Sequence, residues 1–502
     1  MGEIVINGRD LSIPDVWRVA RGAPGAPRVV VSDDAKGRMR ESRRVIERVI
    51  LQGEAVYGVN TGFGQLSNIS VAPADLAQLQ SNLLRSHACA VGEPFPGDVV
   101  RAMMLLRANA LAKGHSGVRM ETVQLLVDCL NRGITPRIPS QGSLGASGDL
   151  APLAHLGLVL MGEGEVIEDG AARPAAIALR EQGLEPIALA PKEGLALING
   201  TQAMTALGAL CVMRARFLSH AADGVAAMTF EALRGVRDAF GESLHRLRPH
   251  PGQMAAAEAM RAWLDGSGLT TAQGEVRVQD AYSLRCIPQV HGATRDALEY
   301  TANIVEIEQN AATDNPLVLP DSGRIVSGGH FHGQPVALAL DFLKLAVSEL
   351  ASIAERRVER LVNPLLSGLP AFLARDPGLS SGLMILQYVA ASLVSENKVL
   401  AHPASVDSIP SSAGQEDHVS MGTTAARQAA AIVENVARVL AIEAIAAAEA
   451  ISQQAFADRM APRTARLFAR VRGLCAEVER DRSLSADIEV VARAILRGEW
   501  YE

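Results

Sequence analysis

Two stretches of unbroken helical pattern constrain the fold of this chain more than any other feature. Residues 335–364, PVALALDFLKLAVSELASIAERRVERLVNP, run between two prolines, and residues 423–460 form a longer, alanine-rich stretch. Helices of this length exceed the average of about 11 to 12 residues and need long partners to bury their apolar faces. The sequence therefore predicts a mainly α fold, an elongated bundle of long helices in which subunits pack against one another.

The composition agrees with helix packing and with more than one domain. The 502 residues are 48% hydrophobic but only 4% aromatic, and Ala, Leu and Val carry most of the apolar weight. These residues suit packed helices better than a β-sandwich. Residues 166–191 contain prolines, glycines and short β-like pieces, as an arm or a domain boundary would. We predict a smaller N-terminal domain over residues 1–190 and a long-helix domain over residues 191–502.

Charge and cysteine content exclude several classes of protein. The net charge is −7 with acids and bases mixed along the chain, so there is no basic face for nucleic acid. The five cysteines are widely spaced without a CxxC pair, which favours a reducing cytoplasm over a disulfide framework. No signal-peptide pattern is visible, and the longest uncharged run, residues 194–213, is interrupted by polar residues near its start. We expect a cytoplasmic protein without a nucleic-acid or membrane partner.

The stretch GSLGASGDLAPLAHL, residues 142–156, crowds small residues against the start of a predicted helix. Asp149 is a candidate helix N-cap, and Pro152 falls in the first turn, where proline is tolerated. Ala146, Ser147 and Gly148 would then lie at a helix N-terminus, which stabilises negative charge. The Walker phosphate-loop pattern is absent, and a tight loop or an anion cradle is one interpretation of the stretch.

These three residues also permit an unusual covalent reaction. The unhindered Gly148 nitrogen could attack the carbonyl carbon of Ala146, and Ser147 carries a hydroxyl that can leave as water. Loss of two waters would give a five-membered ring with an exocyclic methylene, an electrophile that no ordinary side chain provides. A helix N-terminus beneath the ring would stabilise the electron density that it accepts.

This stretch resembles the prosthetic-group motif of the histidine and aromatic amino-acid ammonia-lyases, in which Ala-Ser-Gly cyclises autocatalytically to 4-methylidene-imidazol-5-one (MIO). Similar motifs follow in order along nearly the whole chain: YGVNTGFG (57–64), RSHACAVGEP (85–94), ALINGTQ (196–202), VQDAYSLRCIPQVHG (278–292), DNPLV (314–318), SGGHFHGQPVA (327–337) and AHPASVDSIPSSAGQEDHVSMG (401–422). The resemblance implies the ammonia-lyase and fumarase-like helical fold with MIO in the smaller N-terminal domain. It also implies no dissociable cofactor and a homotetramer whose active sites combine loops of several subunits.

The resemblance implies roles for side chains whose sequence context alone leaves other interpretations open. Tyr57 matches the family's tyrosine base, although a packed surface tyrosine would look the same. Tyr282 and Arg285 lie three residues apart, on one face if that segment is helical. Tyr282 is assigned to catalysis, and Arg285 to a bidentate contact with the substrate carboxylate. The other implied substrate contacts are Gln279, Asn199, which could equally cap a helix, and Phe331, which could be a core residue.

Two places bear on the choice of substrate. Ser86-His87 stands where phenylalanine lyases have an aromatic–aliphatic pair and tyrosine lyases have His-Leu, and its order resembles the histidine enzymes. Glu416 matches those enzymes' acidic contact to the imidazole, with Gln415 beside it, although Ser412-x-x-Gln415 also resembles a helical capping box. An imidazole nitrogen buried without a polar partner costs about 1–3 kcal/mol. The resemblance thus implies elimination of ammonia from L-histidine to give trans-urocanate, the first step of histidine degradation.

A few positions depart from the family's usual pattern without replacing the implied contacts. His330 and Gly414 stand where asparagine is common, and Ala90 where glycine is common. His330 and His332 have no nearby third ligand in the sequence, so we expect no metal site. The remaining alternatives are a phenylalanine or tyrosine ammonia-lyase or aminomutase, and a helical scaffold without catalytic activity.

Overall fold

A computed structural model describes residues 2–22, 25–64 and 68–500. Within these residues the protein is mostly helical, which confirms the predicted mainly α fold. The helices are α1 (Ile13–Ala20), α2 (Asp33–Gln52), α3 (Leu76–His87), α4 (Gly97–Ala112), α5 (Met120–Asn131), α6 (Leu150–Leu160), α7 (Ala175–Glu181), α8 (Glu193–Ile198), α9 (Gln202–Ala232), α10 (Glu242–Arg246), α11 (Pro251–Leu264), α12 (Tyr282–Arg285), α13 (Ile287–Glu308), α14 (Gln334–Val362), α15 (Pro364–Ser367), α16 (Met384–Leu400), α17 (Gly422–Gln453), α18 (Pro462–Leu474) and α19 (Ser485–Leu496). The two long stretches that dominate the sequence form α14 and α17. Short 3-10 helices cover Pro73–Asp75, Arg237–Phe240, Pro320–Ser322, Ala371–Leu373, Ser412–Gly414 and Ala457–Arg459.

The strands in the described part of the chain are short and form small sheets. They are β1 (Glu3–Ile6), β2 (Arg28–Val31), β3 (Val91–Pro94), β4 (Thr135–Pro136), β5 (Pro139–Gln141), β6 (Glu165–Glu168), β7 (Ala171–Pro174), β8 (Leu317–Leu319) and β9 (Arg324–Val326). β1 and β2 pair in parallel with Ile4 opposite Val29, while β3–β5, β4–β6–β7 and β8–β9 are antiparallel. Several of these strands also pack against helices: β1 and β4 contact α4, β2 contacts α5, and β8 contacts α2.

The chain divides by its internal contacts into two compact units. Unit 1 comprises residues 1–210, 302–341 and 403–427, and unit 2 comprises residues 211–301, 342–402 and 428–502. Unit 1 contains α1–α8 and all the strands named above, and unit 2 contains most of the length of α9, α13, α14 and α17. Each unit is thus made of three separate segments of the chain. The predicted division into two domains between residues 190 and 191 stays a prediction.

Local sequence explains where the first helices begin and end. Ser12 and Asp15 form a capping box at α1, in which each side chain accepts a hydrogen bond from the other residue's backbone N–H at 3.2 Å. Ser32 caps α2 by accepting from the Ala35 N–H at 3.1 Å. α2 ends at Gly53, whose φ of +69° is the left-handed conformation that glycine adopts without strain.

The core of unit 1 is built around α4 and α6, whose side chains are buried on almost every face. α4 packs against α1, α2 and α5, while α6 packs against α3 and α8. The loop that carries Ala146, Ser147 and Gly148 enters this core between β5 and α6. A rigid, close-packed surrounding therefore supports the segment that the sequence singles out.

The uncharged run at residues 194–213 is buried over almost its whole length, but it is not one helix. It contains most of α8 and the start of α9, with the break at residues 199–201 where Asn199 and Thr201 interrupt the apolar pattern. In the ranges that the structure describes, no helix is both long and apolar enough to cross a membrane.

Unit 2 has its own core, in which alanines let long helices approach closely. Ala444, Ala446, Ala447 and Ala448 of α17 are fully buried. The Arg357 guanidinium and the Glu443 carboxylate form an ion pair at 2.6 Å, both side chains being fully buried. A buried pair of this kind is costly to break, because removing one partner leaves an uncompensated charge.

Candidate active site

The Ala146-Ser147-Gly148 segment lies in a tight, largely buried loop. Gly145 and Gly148 have φ values of +68° and +78°, which residues with a side chain adopt at a cost. A Cβ on Gly148 would also clash with the backbone of Gly200, since the two residues form a parallel β-bridge. Glycine is thus required at this position for two reasons: its positive φ, and the lack of room for a Cβ next to Gly200.

Asp149 ties this loop to the start of α9. Its backbone N–H donates to the Gly200 carbonyl at 2.7 Å, and its carboxylate accepts from the N–H groups of Ala203 and Met204 at 2.8 and 3.0 Å. Ser143 and Thr423 donate hydroxyl hydrogen bonds to the same carboxylate. Asp149 stands at the predicted N-cap of α6, but its side chain caps α9 instead. Burial raises its pKa, against these hydrogen bonds.

Both polar groups of Ser147 are held by side chains from distant parts of the sequence. The Ser147 hydroxyl donates to Oε1 of Glu416 at 2.7 Å. The Ser147 carbonyl oxygen accepts from Nδ2 of Asn199 at 2.8 Å. Asn199 therefore does more than end a helix, since its side-chain amide contacts the segment itself.

Glu416 is fixed from a second direction by Ser411. The Ser411 hydroxyl donates to Oε2 of Glu416 at 2.9 Å, and the two residues form an antiparallel β-bridge. The alternative capping box, Ser412-x-x-Gln415, is wrong, because the short 3-10 helix here has Ser411 as its N-cap and no side-chain cap hydrogen bond. The Glu416 carboxylate thus faces Ser147.

Tyr57 lies in the loop after α2 and is half-buried. Its hydroxyl oxygen accepts a long hydrogen bond, 3.5 Å, from the Gly64 N–H, and Phe63 packs edge-on against its ring. Burial raises the pKa of Tyr57, the negative charges of Glu416 and Asp314 raise it further, and the Gly64 contact lowers it. In the single chain, the phenol of Tyr57 is therefore protonated near neutral pH.

These groups share one cavity in unit 1, of about 710 Å³. Its lining includes seven of the residues that the sequence proposed: Tyr57, Ala146, Ser147, Asn199, Phe331, Gln415 and Glu416. Further polar groups on its wall, which the sequence interpretation did not assign to substrate, are Asn68, Asn315, His332, Asp417 and His418. Carboxylate, amide, phenol and imidazole groups thus surround a space large enough for an amino acid.

His87 ends α3 near this cavity but does not line it. Its Nδ1 lies 2.9 Å from the Ser86 hydroxyl. Burial lowers the pKa of His87, while the Leu83 carbonyl and the Glu416 charge act in the opposite direction. The ring is accordingly neutral near pH 7, a form that can both donate and accept hydrogen bonds.

Three proposed residues belong to unit 2 and are not among the cavity's lining residues: Gln279, Tyr282 and Arg285. Tyr282 and Arg285 do share the single-turn helix α12, and the guanidinium carbon of Arg285 lies 4.8 Å from the Tyr282 ring centroid. Gln279 is exposed, and Tyr282 is 72% exposed. The cavity of unit 1 is therefore built without these three side chains.

A cluster of buried charged side chains near the Ala146-Ser147-Gly148 loop was not predicted from the sequence. Arg107 of α4 is fully buried, and Lys192 and Asp314 form an ion pair at 2.6 Å with both side chains almost completely buried. The available signal was Arg107 itself, an arginine within the apolar run MMLLRANALA. Across the described residues, no group of three or more His, Cys, Asp or Glu side chains is arranged to hold a metal ion.

Comparison with known proteins gives consistent matches. Residues 11–473 match the family model described as aromatic amino acid lyase. Histidine ammonia-lyase of Geobacillus thermodenitrificans is 58% identical over 489 residues, which are 97% of this chain and 96% of that protein. The crystal structure of histidine ammonia-lyase from Trypanosoma cruzi has a TM-score of 0.92 at 44% identity, covering 99% of this chain and 94% of that chain.

The crystal structure of tyrosine aminomutase from Streptomyces globisporus matches comparably, with a TM-score of 0.95, 42% identity, and coverage of 99% of this chain and 97% of that chain. The solved structures share the helical fold, which confirms the expected ammonia-lyase type of architecture. Because the family model and the relatives both cover nearly all of the sequence, the chain belongs to the aromatic amino acid lyase family of carbon–nitrogen lyases.

Proposed function

We propose that this protein eliminates ammonia from L-histidine to give trans-urocanate. The observation that carries the proposal is the position of the Glu416 carboxylate, 2.7 Å from the Ser147 hydroxyl and inside the cavity that Tyr57 lines. A carboxylate there provides an acceptor for an imidazole N–H next to the reactive segment. The Geobacillus relative, named histidine ammonia-lyase, supports the same substrate.

The prosthetic group of this proposal is MIO, formed from Ala146, Ser147 and Gly148, and no dissociable cofactor is required. The residues present fit it. Gly148 offers a backbone nitrogen without a Cβ beside it, and the two residues before it, Ala146 and Ser147, are small. The Ser147 carbonyl, which remains as the ring carbonyl, already accepts a hydrogen bond from Asn199. When formed, the group supplies an electrophile that draws electrons from the substrate.

Tyr57 is the base that removes the β-proton in this scheme. Burial and two negative charges raise its pKa. The positively charged ammonium of the substrate lowers that pKa when it binds in the same cavity, because a nearby cation favours the phenolate. Binding and activation of the base are thus coupled through charge.

Substrate choice rests on polar partners for the imidazole ring. Glu416 and Gln415 line the cavity and supply them, with His87 nearby at the end of α3, and Phe331 lines the same cavity as the Ala146-Ser147 segment. A phenyl ring would leave these polar groups unpaired, at about 1–3 kcal/mol for each buried one. The site therefore favours histidine over phenylalanine by the loss that the wrong substrate would cause.

The remaining contacts come from other copies of the chain in this scheme. Gln279, Tyr282 and Arg285 of a neighbouring subunit complete each cavity, with Arg285 binding the substrate carboxylate as a planar fork. Large apolar side chains exposed on α14 and α16 support an assembly: Phe342, Leu345, Ile385, Tyr388 and Val399. We propose a homotetramer, located in the cytoplasm since all five cysteines are free, with no nucleic-acid or membrane partner.

A second candidate function is that of an aminomutase or ammonia-lyase acting on tyrosine or phenylalanine. The structure of a tyrosine aminomutase matches the fold of this chain as closely as that of a histidine ammonia-lyase does. A panel of L-histidine, L-phenylalanine and L-tyrosine, followed by the absorbance of each unsaturated product, separates the two. We expect turnover of histidine alone at a substantial rate. Preferential turnover of tyrosine or phenylalanine would reject the proposal, and an intact mass that retains both waters would indicate an inactive scaffold.

A further inference from the structure

Arg107 occupies an unusual position for an arginine. It lies in the middle of α4 with its side chain fully buried, and burial lowers its pKa only to about 10, so it keeps its charge near neutral pH. One nitrogen, Nη1, donates to the Asn199 carbonyl at 3.0 Å and to Oε1 of Gln202 at 2.7 Å. Within the described residues, Nε and Nη2 have no hydrogen-bond partner.

The charge of Arg107 is not fully balanced by its neighbours. Asp314 is the carboxylate whose charge acts on it, yet Asp314 is already paired with Lys192 at 2.6 Å. Two cations and one carboxylate are therefore buried together. Such an excess of positive charge costs stability, which a neutral side chain of similar size would avoid. A functional role of the Arg107 charge would explain why this destabilising arrangement is present.

The contacts of Arg107 lead directly to the reactive segment. Gly200, which has no side chain, lets the guanidinium approach the turn between α8 and α9. Asn199, whose carbonyl Arg107 binds, donates its own side-chain amide to the Ser147 carbonyl oxygen at 2.8 Å. Arg107 thus controls the orientation of Asn199, and Asn199 contacts Ser147.

The second dehydration of this condensation places negative charge at the Ser147 carbonyl oxygen. The Gly148 nitrogen bonds to the Ala146 carbonyl carbon, and the first water takes the Ala146 oxygen with the two amide hydrogens of Ser147 and Gly148. The second water takes the Ser147 hydroxyl and the Ser147 Cα proton. While the Cα–H bond breaks, its electron pair moves toward the Ser147 carbonyl oxygen and then expels the hydroxyl. A donor fixed on this oxygen lowers the barrier.

We propose that Arg107 is a positioning residue for this condensation: by holding the Asn199 carbonyl, it fixes the Asn199 amide on the Ser147 carbonyl oxygen where charge develops. The inference rests on the proposed function, since it needs the ring to form. It adds a residue that does not touch substrate and acts through another.

The test compares intact masses of full-length chains purified after a short, timed expression. Arg107→Gln removes the charge, and its side chain ends two bonds short of Nη1, so it loses the contact with the Asn199 carbonyl. We expect its two-water loss to be roughly tenfold slower than in the wild type. The matched control is Arg101→Gln on the same helix, where Arg101 donates to the carbonyls of Val19 and Leu130 at 3.1 and 3.0 Å. Its chains should mature at the wild-type rate, and melting curves report whether each variant is folded.

Steady-state kinetics distinguish the proposed positioning role of Arg107 from a role in stability alone. In Arg107→Gln, kcat should fall with the matured fraction while KM stays near the wild-type value, because Arg107 does not contact substrate. Wild-type maturation in a folded Arg107→Gln overturns the inference and leaves the proposed function intact. Wild-type chains that retain both waters overturn both. If Arg107→Gln does not fold, Arg107→Lys is the second test. Slow maturation supports the inference, since the lysine side chain is one bond too short to bring its nitrogen to the position of Nη1, and a wild-type rate rejects it.

Discussion

The hydroxyl of Ser147 donates a hydrogen bond to the Glu416 carboxylate at 2.7 Å, although the two residues are 269 positions apart in the sequence. The second oxygen of the same carboxylate accepts from Ser411 at 2.9 Å. Glu416 is therefore held in one orientation and directed at the segment that the proposed chemistry modifies. In the proposed scheme the Ser147 hydroxyl leaves as water, and Oε1 of Glu416, which had accepted its hydrogen bond, then becomes available to substrate.

Glu416→Gln tests the role of that carboxylate. Glutamine keeps the size and can still accept from Ser411, but it loses the charge that strengthens a hydrogen bond to an imidazole N–H. We expect kcat/KM for histidine to fall roughly tenfold to a hundredfold, and the preference for histidine over phenylalanine to narrow. Steady-state kinetics with both substrates measure this.

The control is Glu258→Gln, an exposed carboxylate on α11. This substitution removes the same charge at an exposed position that has no proposed role in the site, and it should leave kcat/KM for histidine and for phenylalanine unchanged. Equal kinetics in Glu416→Gln and Glu258→Gln would remove Glu416 from the substrate site.

The pH dependence of turnover should report Tyr57. Burial and the charges of Glu416 and Asp314 raise its pKa, so the active phenolate becomes more abundant as pH rises and kcat should increase on the alkaline side of neutrality. Glu416→Gln removes one negative charge, which makes the phenolate easier to form and moves this rise to lower pH. The measurement is kcat against pH at saturating histidine.

Tyr57→Phe provides the reference for that profile. Without the hydroxyl, we expect kcat to fall by about 10²–10⁴ and the alkaline rise to disappear. A Tyr57→Phe enzyme with the same rise would show that another group titrates.

Short motifs allowed much of the site to be located from sequence. Ser147, Asn199 and Glu416 each lie in a stretch that resembles the family over several consecutive residues, and all three line the cavity. Arg107 gave no such signal, because its importance comes from partners 92 and 95 residues away. An arginine in an apolar helical run looks like an interruption until the chain is folded around it.

The fold shows the same division between local and distant information. The length of the helical pattern predicted α14 and α17, since helix formation depends on residues three and four apart. The composition of unit 1 could not be predicted that way, because the unit gathers residues 302–341 and 403–427 around the N-terminal 210 residues. Which segments pack together depends on tertiary contacts that periodicity does not report.

Shared active sites can be tested by mixing two inactive variants. Tyr57 lines the cavity of unit 1, whereas Tyr282 belongs to unit 2 and does not line it. If each site takes these residues from different chains, equal coexpression of Tyr57→Phe and Tyr282→Phe should restore roughly a quarter of wild-type activity by random assortment. Turnover of histidine by the purified mixture measures this.

The matched control coexpresses Tyr57→Phe with the double variant Tyr57→Phe/Tyr282→Phe, which leaves no intact Tyr57 in any site. That mixture should be inactive. If the first mixture is equally inactive while both assemble normally, the two residues act from the same chain, and the proposed sharing of sites is wrong.

Gly148→Ala separates the two reasons for glycine at this position. The conformation at φ +78° costs any residue with a Cβ about 1–2 kcal/mol, and the added methyl also meets the Gly200 backbone. Gly170, in the turn between β6 and β7, has a similar φ of +80° but open space around it, so Gly170→Ala imposes the strain without the clash.

We therefore expect Gly148→Ala chains to retain both waters and to lack activity, while Gly170→Ala chains mature fully with at most a small loss of thermal stability. Intact mass and melting temperature measure the two effects separately. Gly148→Ala that loses two waters at the wild-type rate would mean that close contact with Gly200 is not needed for the loop to react, because the segment would then have closed its ring from a displaced position.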